Sequence, residues 1–211
     1  MIVALVVLGY LIGSIPVAWI VAKLVTGRDI RQMGSGNAGV MNTALSVARW
    51  AGLLVFFAEA AKGAAAVFLA RYLDGSELAI ALTVLAAVAG TRWSIWLRGA
   101  GGRGNTIGVT AILLLSWPTV LGGLALWCLA RLISGRSFLA TRIGLLTWPF
   151  LFGLLTQSWW NLLFGIALSL MYLSTQDPET DDHLLIKERW PSLWGFLSGP
   201  RRRRGGRSTE E

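Results

Sequence analysis

The sequence predicts an all-α integral membrane protein of about seven transmembrane helices, including short hairpin helices. Composition is the first ground: of 211 residues 55% are hydrophobic and only 14% are charged, with a mean hydropathy of +0.61. A soluble domain of this length cannot bury so much continuous apolar sequence. The second ground is the length of the apolar runs, several of which approach or exceed the roughly 20 residues that cross a bilayer. In chain order these runs are Ile2–Leu24, Trp50–Ala70, Leu78–Trp96, Ile107–Ala130, Ile143–Leu155 and Trp159–Leu173.

Lysine and arginine orient these runs, because basic residues in short loops mark the cytoplasmic side. With the N-terminus outside, the first run ends in the cytoplasm at Lys23 and Arg31, and the third returns there at Arg103. Since Lys23 lies at the far end of the first run, we expect a membrane span there and not a cleavable signal peptide. Arg71 alone among the basic loop residues then falls outside.

Trp117-Pro118 sets the number of helices. If Ile107–Ala130 were one span, the arginine cluster 201–204 would lie outside the cell, against the charge rule. Proline breaks or kinks a helix and biases its predecessor away from the α conformation. We therefore expect a hairpin of two helices, Ile107–Ser116 and Pro118–Ile133. With a last turn near Gln157-Ser158, the C-terminus is cytoplasmic.

Two domains follow from the change in composition near residue 175. Residues 1–175 form the multi-pass membrane domain, and residues 176–211 form a cytoplasmic polar segment, an interfacial helix and a basic tail. The net charge of +8 does not indicate nucleic-acid binding, since five arginines lie in that tail and most others flank the spans. Anionic membrane lipid is the partner that this pattern attracts.

Two glycine-rich loops separate the apolar runs, Gly34-Ser35-Gly36-Asn37-Ala38-Gly39 and Gly99-Ala100-Gly101-Gly102-Arg103-Gly104. Glycine lets backbone N–H groups turn toward a ligand, and nearby arginine adds a forked donor. Such loops bind phosphate, and each precedes a helix N-terminus, which favours an anion. In the predicted topology both loops face the cytoplasm, so we expect a site there for a phosphorylated substrate.

The glycine spacing does not indicate a dinucleotide site. Both loops spell G-x-G-x-x-G, but this pattern is informative only between a strand and a helix, and here membrane helices flank it. Neither loop continues as the G-K-[ST] of a Walker A loop, and no Cys/His spacing suggests a metal. The sequence therefore predicts neither a cofactor nor a metal.

Glu59 and Lys62 lie in the middle of a span at a spacing of three residues, so they share a helix face. Charge inside a membrane usually faces the protein interior and is paired. We expect an ion pair, which either serves the structure alone or orders the site from behind. His183, the single histidine, follows the last span in a polar stretch.

The motifs resemble those of the bacterial acyl-phosphate:glycerol-3-phosphate acyltransferases. The first block carries most of the resemblance and comprises Gly13-Ser14-x-Pro16, Lys23, Asp29-Ile30-Arg31, the loop 34–39 and Asn42. Further along, Glu59-x-x-Lys62-Gly63 is similar to the family's Asp-x-x-Lys-Gly, Gly101-Gly102-Arg103-Gly104 to its Gly-Gly-Lys-Gly, and Thr141-Arg142 to a Thr-Arg pair.

The resemblance implies a seven-helix enzyme of the bacterial inner membrane. Such enzymes transfer an acyl chain from acyl phosphate to the 1-hydroxyl of glycerol 3-phosphate, which gives lysophosphatidic acid and phosphate for phospholipid synthesis. Their loops bind the two phosphates. Carried over residue by residue, it implies catalytic roles for Ser35, Asn37, Asn42 and His183, phosphate binding by Arg31, Gly34, Gly36, Gly101, Gly102, Arg103, Gly104 and Arg142, and support from Glu59 and Lys62.

The chain also departs from the family pattern. Leu45 and Leu145 stand where the family has arginine and serine, and Thr91 stands where it has histidine. Two alternatives therefore accompany the acyltransferase hypothesis. One is a divergent paralogue with another phosphorylated acceptor or without catalytic activity. The other is a small anion transporter, which intramembrane charge would suit, although no inverted repeat is visible.

Overall fold

The fold is all-helical over residues 1–175, which are the residues that the computed structural model describes. No strand occurs among them, as the sequence predicted. The predicted segment 176–211, with His183, the interfacial helix and the arginine tail, lies outside the described residues. The helices are α1 (Ile2–Ser14), α2 (Val17–Thr26), α3 (Val40–Ser46), α4 (Arg49–Leu73), α5 (Glu77–Arg92), α6 (Asn105–Leu115), α7 (Trp117–Ser134), α8 (Ser137–Thr156) and α9 (Trp159–Leu173).

Five segments within residues 1–175 are long and apolar enough to cross a membrane. They are Ile2–Thr26, which combines α1 and α2, then α4, the segment Glu77–Leu97, α7 and α8. Helices α6 and α9 are apolar but shorter. These helices lie where the sequence predicted membrane segments from hydropathy, arginine positions and Pro118, while α3 is a short additional helix in the first glycine-rich region.

The first span is broken at Pro16, whereas the sequence predicted one run from Ile2 to Leu24. Helix α1 ends at Ser14 and α2 begins at Val17, because proline has no N–H for the helix ladder. The break leaves carbonyls without helical partners. Lys62 Nζ on α4 donates to two of them, to Gly13 O at 3.2 Å and to Ile15 O at 2.5 Å. A buried lysine thus stabilises the kink.

Both hairpin turns are present. Helix α6 ends at Leu115 and α7 begins at Trp117, with proline in its first turn, where no N–H partner is needed. The turn predicted near Gln157-Ser158 separates α8 from α9. Helix α8 begins at Ser137 and not at Ile143, so that Thr141 and Arg142 lie within a helix and not in a loop.

Helices α1 and α5 meet backbone to backbone. A Cβ at Gly13 would lie 1.9 Å from the Ala87 carbonyl oxygen, and one at Gly9 would lie 2.4 Å from that of Thr83. Small residues let membrane helices approach in this way. The pairing of 9 with 83 and 13 with 87 shows that the two helices run in the same direction.

Hydrogen bonds define the two ends of the bundle. At one end Arg71 Nη2 donates to Leu114 O at 3.4 Å, and the Ser158 hydroxyl donates to the Glu77 carboxylate. At the other end the Tyr172 hydroxyl donates to Gly104 O at 3.2 Å. Since α4, α5, α6 and α9 each connect these ends, both glycine-rich loops lie at the end opposite Arg71.

Candidate active site

The first glycine-rich loop is folded around Asn42, which is fully buried at the start of α3. Its Nδ2 donates to Met33 O at 2.8 Å and to Asn37 O at 2.9 Å. Its Oδ1 accepts from the Ser35 N–H at 3.2 Å and from the Ser46 hydroxyl at 2.9 Å. Because the amide is committed to the protein on both sides, Asn42 shapes the loop and does not face a ligand.

Glycine is required at Gly34 for two reasons. Its φ of 57° lies in the left-handed region, and a Cβ there would lie 2.2 Å from Asn42 Oδ1 and 2.3 Å from Ser46 Oγ. Gly36 also has a positive φ, of 75°, and its N–H donates to Met33 O at 3.0 Å. The loop glycines therefore serve the turn around Asn42.

The second glycine-rich loop is fastened to the last turn of α5. The Gly101 N–H donates to Arg92 O and the Gly102 N–H donates to Thr91 O, both at 3.0 Å. These two amides are committed to carbonyl acceptors of the protein, and phosphate binding by Gly101 and Gly102 stays a prediction. The end of a helix leaves carbonyls without partners, and the loop satisfies two of them. Beside these two amides lie the Arg103 side chain and the first turn of α6, which Gly104 precedes with a φ of 74°.

The backbones of the two loops contact each other at the end of the helix bundle opposite Arg71. A Cβ at Gly102 would lie 2.5 Å from the Ala38 carbonyl oxygen, so the loops approach as closely as their backbones allow. Two cavities, of about 140 and 330 Å³, border this contact, and Asn37 and Arg103 line both. The smaller is also lined by Glu59, Thr91, Gly104, Asn105 and Thr106, and the larger by Ser35, Gly36, Arg92, Gly101 and Gly102.

The predicted ion pair is present on α4 and reaches the smaller cavity. Lys62 Nζ lies 2.7 Å from Glu59 Oε1, and both side chains are buried. Glu59 Oε2 is buried as well and has no hydrogen-bond partner within residues 1–175. One carboxylate oxygen thus holds Lys62, while the other is an unused acceptor beside the cavity.

Ser35 presents a similar group to the larger cavity. Its backbone N–H is held by Asn42, but its hydroxyl oxygen is buried and has no partner among the described residues. A buried hydroxyl without a partner is unfavourable unless a ligand or water supplies one. Ser35 is therefore a candidate contact for a polar substrate.

Arg31 joins the loops and lines neither cavity. It forms an ion pair with Asp29 at 2.6 Å, and its Nη1 donates to Leu97 O at 3.2 Å in the region before the second loop. Hydrogen bonds from the Arg31 side chain hold the pKa of the Asp29 carboxyl well below its usual range. The same contact raises the pKa of Arg31, which stays charged. Arg31 thus makes contacts that position the loop, and its expected phosphate contact stays a prediction.

Arg142, another predicted site residue, is not brought to the cavities. Arg142 is exposed on α8, where its guanidinium lies 4.6 Å from the centre of the Phe138 ring. Its neighbour Thr141 faces inward and accepts a hydrogen bond from Trp127 Nε1 at 3.0 Å. His183 lies outside the described residues.

An apolar groove of about 360 Å³ runs between α6, α7, α8 and the end of α9. It begins at Asn105, which also lines the smaller polar cavity, and reaches Thr119 near the other end of the bundle. Its walls include Ile112, Trp127 and Trp148. A polar site and an apolar channel therefore share one residue at the start of α6.

Sequence reasoning did not select Thr91, Asn105 or Tyr172 as site residues. Asn105 carried a signal, because it is a polar residue directly after Gly104 at the start of an apolar run. Thr91 carried a signal through the resemblance, since it stands where the family has histidine, whereas Tyr172 carried none. Thr91 donates to Gly13 O at 3.0 Å and Tyr172 to Gly104 O at 3.2 Å, across 78 and 68 residues of chain.

Residues 3–180 match the family described as glycerol-3-phosphate acyltransferase. The chain belongs to this family. The glycerol-3-phosphate acyltransferase of Desulforamulus reducens is 34% identical over 167 residues, which are 79% of this chain and 84% of that protein. Glycerol-3-phosphate acyltransferase 1 of Dehalococcoides mccartyi is 42% identical over 171 residues, 78% of this chain and 82% of that protein.

Solved structures of glycerol-3-phosphate acyltransferases show the same fold. The crystal structure of PlsY, an integral membrane glycerol 3-phosphate acyltransferase, in its glycerol 3-phosphate form superposes with a TM-score of 0.71. It is 24% identical, and the match covers 97% of this chain and 96% of that chain. The chain is thus a multi-pass integral membrane member of an acyltransferase family of phospholipid biosynthesis.

Proposed function

We propose that this chain transfers a fatty acyl group from acyl phosphate to the 1-hydroxyl of glycerol 3-phosphate, giving lysophosphatidic acid and phosphate. One observation carries the proposal: the two glycine-rich loops and the apolar groove converge at the start of α6, on Arg103 and Asn105. The reaction joins a long apolar chain to a small phosphorylated polyol, so its site needs an apolar channel and an anion site side by side.

The acyl phosphate lies with its chain in the groove and its head at the first turn of α6. That turn offers backbone N–H groups without helical partners and the positive end of a helix dipole. Arg103 adds a cation at the same point. A charged head at the mouth and an apolar chain within fix the carbonyl carbon between them, beside the smaller cavity.

Glycerol 3-phosphate occupies the two cavities from the cytoplasmic side. Asn37 and the Ser35 hydroxyl contact it, while Asn42, Gly34 and Gly36 hold the loop that presents them. Arg31 acts at a distance, since its hydrogen bond to Leu97 O keeps the two loops together. Asn42 and Arg31 are thus positioning residues in this proposal.

Glu59 Oε2 accepts a hydrogen bond from a hydroxyl of the acceptor. It is the buried acceptor without a partner at the smaller cavity, and Lys62 holds the carboxylate in place from the opposite side. Of the two roles that the sequence left open for the ion pair, this proposal takes the second, support of the site from behind.

The chemical step needs no cofactor. The 1-hydroxyl oxygen attacks the carbonyl carbon, the bond from that carbon to the phosphate oxygen breaks, and phosphate leaves with the electron pair. The hydroxyl proton passes to a phosphate oxygen of the substrates. Because acyl phosphate is already activated, the protein acts by positioning and by stabilising the developing negative charge.

The proposed setting is the inner membrane of a bacterium, with seven membrane segments, an extracytoplasmic N-terminus and a cytoplasmic C-terminus. Basic residues support this orientation. Arg31, Arg98 and Arg103 lie at the end that carries the site, and Arg71 lies at the opposite end. The substrate glycerol 3-phosphate is then taken from the cytoplasm.

The test is turnover in proteoliposomes with palmitoyl phosphate and glycerol 3-phosphate, measured as lysophosphatidic acid and phosphate in equal amounts. Loss of one charge-stabilising donor typically lowers turnover by about a hundredfold, and we expect such a loss for Arg103→Ala and Asn37→Ala. Arg71→Ala is the matched control, because it removes an arginine from the other end of the bundle. Full turnover in both site variants would place the site elsewhere.

The role of Glu59 is tested with the pair variant Glu59→Leu/Lys62→Met. Replacing a buried ion pair by apolar residues often preserves stability, whereas Glu59→Leu alone leaves the buried Lys62 ammonium without an opposite charge. In the pair variant Gly13 O keeps the Thr91 hydroxyl as a donor and Ile15 O keeps the Val17 N–H, so we expect the variant to fold. It should raise the KM for glycerol 3-phosphate about tenfold, with an unchanged KM for acyl phosphate. Equal changes in both constants would indicate a purely structural pair.

A second candidate is the same reaction with another phosphorylated acceptor. Leu45 stands where the family has arginine, and its side chain is fully buried in α3. Because leucine is uncharged, this position supplies no cation to the cavities. The discriminating measurement repeats the assay with other phosphorylated alcohols. A higher kcat/KM for one of them than for glycerol 3-phosphate would establish the alternative.

A further inference from the structure

Two glycines line the apolar groove although neither backbone conformation nor packing requires them. They are Gly123 on α7 and Gly144 on α8. Neither has a positive φ. A Cβ at Gly123 would have its nearest neighbour, Trp148 Cβ, at 3.7 Å, and one at Gly144 would have Trp127 Cδ1 at 3.8 Å. Both are ordinary van der Waals distances, so alanine would fit at either position.

Neighbouring glycines show the contrast. A Cβ at Gly122 would lie 2.5 Å from Leu151 Cδ2, and one at Gly108 would lie 1.9 Å from the Tyr172 hydroxyl oxygen. Those two glycines permit close packing, which is the usual reason for glycine in a membrane helix. Gly123 and Gly144 need another explanation, because glycine is less favourable than alanine in a helix interior.

The tryptophans opposite the two glycines make firm walls. Trp127 on α7 faces Gly144 on α8, and its Nε1 is held by Thr141 Oγ1 at 3.0 Å. Trp148 on α8 faces Gly123 on α7, and its ring lies 5.9 Å from that of Phe152. At each level of the groove a tryptophan ring thus lies opposite a glycine. Because glycine has no side chain, a narrow apolar chain has room between the helices.

We propose that Gly123 and Gly144 set the acyl-chain specificity of the enzyme. This inference rests on the proposed function. Gly144 lies one turn beyond Thr141 and near Trp127, on the side of the polar mouth. Gly123 lies deeper, between Thr119 and Trp127 on α7. Gly144 therefore controls entry of every chain, and Gly123 controls how far a long chain can extend.

The experiment compares kcat/KM for decanoyl and palmitoyl phosphate in wild type, Gly123→Ala and Gly123→Val. Each methylene removed from apolar contact changes binding about fourfold. Valine fills the space of two to three methylenes, so the ratio of palmitoyl to decanoyl kcat/KM should fall at least about tenfold, with alanine intermediate. Gly144→Val should lower kcat/KM for both chains, since it obstructs the mouth.

Gly122→Ala is the matched control. It adds a methyl group to the adjacent position, outside the groove and against the end of the Leu151 side chain, and should leave the chain-length ratio unchanged. If Gly123→Val keeps the wild-type ratio while its unfolding midpoint shows that it is folded, the inference is overturned. A ratio that shifts equally in Gly122→Ala would also overturn it, because the effect would then reflect general loosening.

A second readout separates failure of this inference from failure of the proposed function. Lysophosphatidic acids with chains of 10 and 16 carbons are added to the purified protein, and the rise in unfolding midpoint is measured without turnover. Wild type should be stabilised more by the longer chain, and Gly123→Val should lose that difference. A wild type that makes no product but shows these shifts refutes the proposed activity and keeps the chain site. Equal shifts in wild type and Gly123→Val refute the chain site.

Discussion

Asn42 illustrates how much of the site rests on single side chains. The family resemblance implied that it is catalytic, but the structure commits its amide to Met33 O, Asn37 O, the Ser35 N–H and the Ser46 hydroxyl. A residue so placed affects chemistry through the loop. The same is true of Arg31, whose guanidinium bonds Asp29 and Leu97 O.

Asn42→Ala should unfold the first loop locally. It leaves several loop groups without partners, and each buried polar group without a hydrogen bond costs about 1–3 kcal/mol of stability. We expect a lower unfolding midpoint and loss of most turnover, checked by thermal unfolding in detergent and by the proteoliposome assay. Asn42→Asp keeps the two accepted bonds but sets a buried carboxylate oxygen against the Met33 and Asn37 carbonyl oxygens, so its defect should be at least as large. Wild-type behaviour of Asn42→Ala would contradict the role of Asn42 as organiser of the loop.

The contact of Asp29 with Arg31 predicts a pH dependence with a definite sign. Because the pKa of Asp29 is lowered from its usual 3.8 in the folded state, its contribution is present above that value and is lost as the pH falls below it. The difference in unfolding midpoint between wild type and Asp29→Asn should therefore be constant from about pH 8 to 5 and shrink below about pH 4. A difference that grows with acid would contradict this assignment.

At the scale of elements, the turns were predictable and the helix contacts were not. Pro118 breaks the helix regardless of the tertiary contacts around it, so the hairpin of α6 and α7 follows from local chemistry. Pro16 has the same effect, but its break is tolerated because Lys62, far along the chain, donates to Gly13 O and Ile15 O. That second fact has no local signal.

Gly13→Ala tests the contact between α1 and α5. The added methyl group would lie 1.9 Å from the Ala87 carbonyl oxygen, and backbone cannot yield as a flexible side chain does. We expect a loss of about 1–3 kcal/mol of stability, because overpacking forces the helices apart. The measurement is the thermal unfolding midpoint. Leu11→Ala on the exposed face of α1 is the control and should lower the unfolding midpoint less. A larger decrease in Leu11→Ala than in Gly13→Ala would refute the contact.

At the scale of the whole molecule, the site lies at one end of a bundle whose apolar surface is mostly outward. Large side chains such as Phe57, Leu132 and Trp159 are exposed, at 61, 81 and 79%. In water such a surface would aggregate, whereas in a bilayer it faces lipid tails. The polar cavities, by contrast, are lined largely by the loops at one end of the bundle, where a water-soluble acceptor can enter.

The proposed orientation predicts which loops are reached from each side of the membrane. In a Cys128→Ser background, Tyr72→Cys reports on the Arg71 end and Ala100→Cys on the end with the glycine-rich loops; both positions are exposed. With intact cells, a membrane-impermeant maleimide should label Tyr72→Cys, and Ala100→Cys only after permeabilisation. The opposite pattern would invert the topology.

The sequence by itself determined the all-helical class, the membrane segments, the hairpin at Pro118 and the presence of two polar loops. These properties depend on hydropathy, on proline and glycine chemistry and on charge, which act over a few neighbouring residues. The tertiary structure decided which groups in and beside those loops lack a partner of their own. The Gly101 and Gly102 amides are used by α5, Arg31 by Asp29 and Leu97, and Asn42 by its own loop, whereas Glu59 Oε2 and the Ser35 hydroxyl are left unused within the described residues. Such partners lie up to tens of residues apart in the chain, so only folding brings them within hydrogen-bond distance.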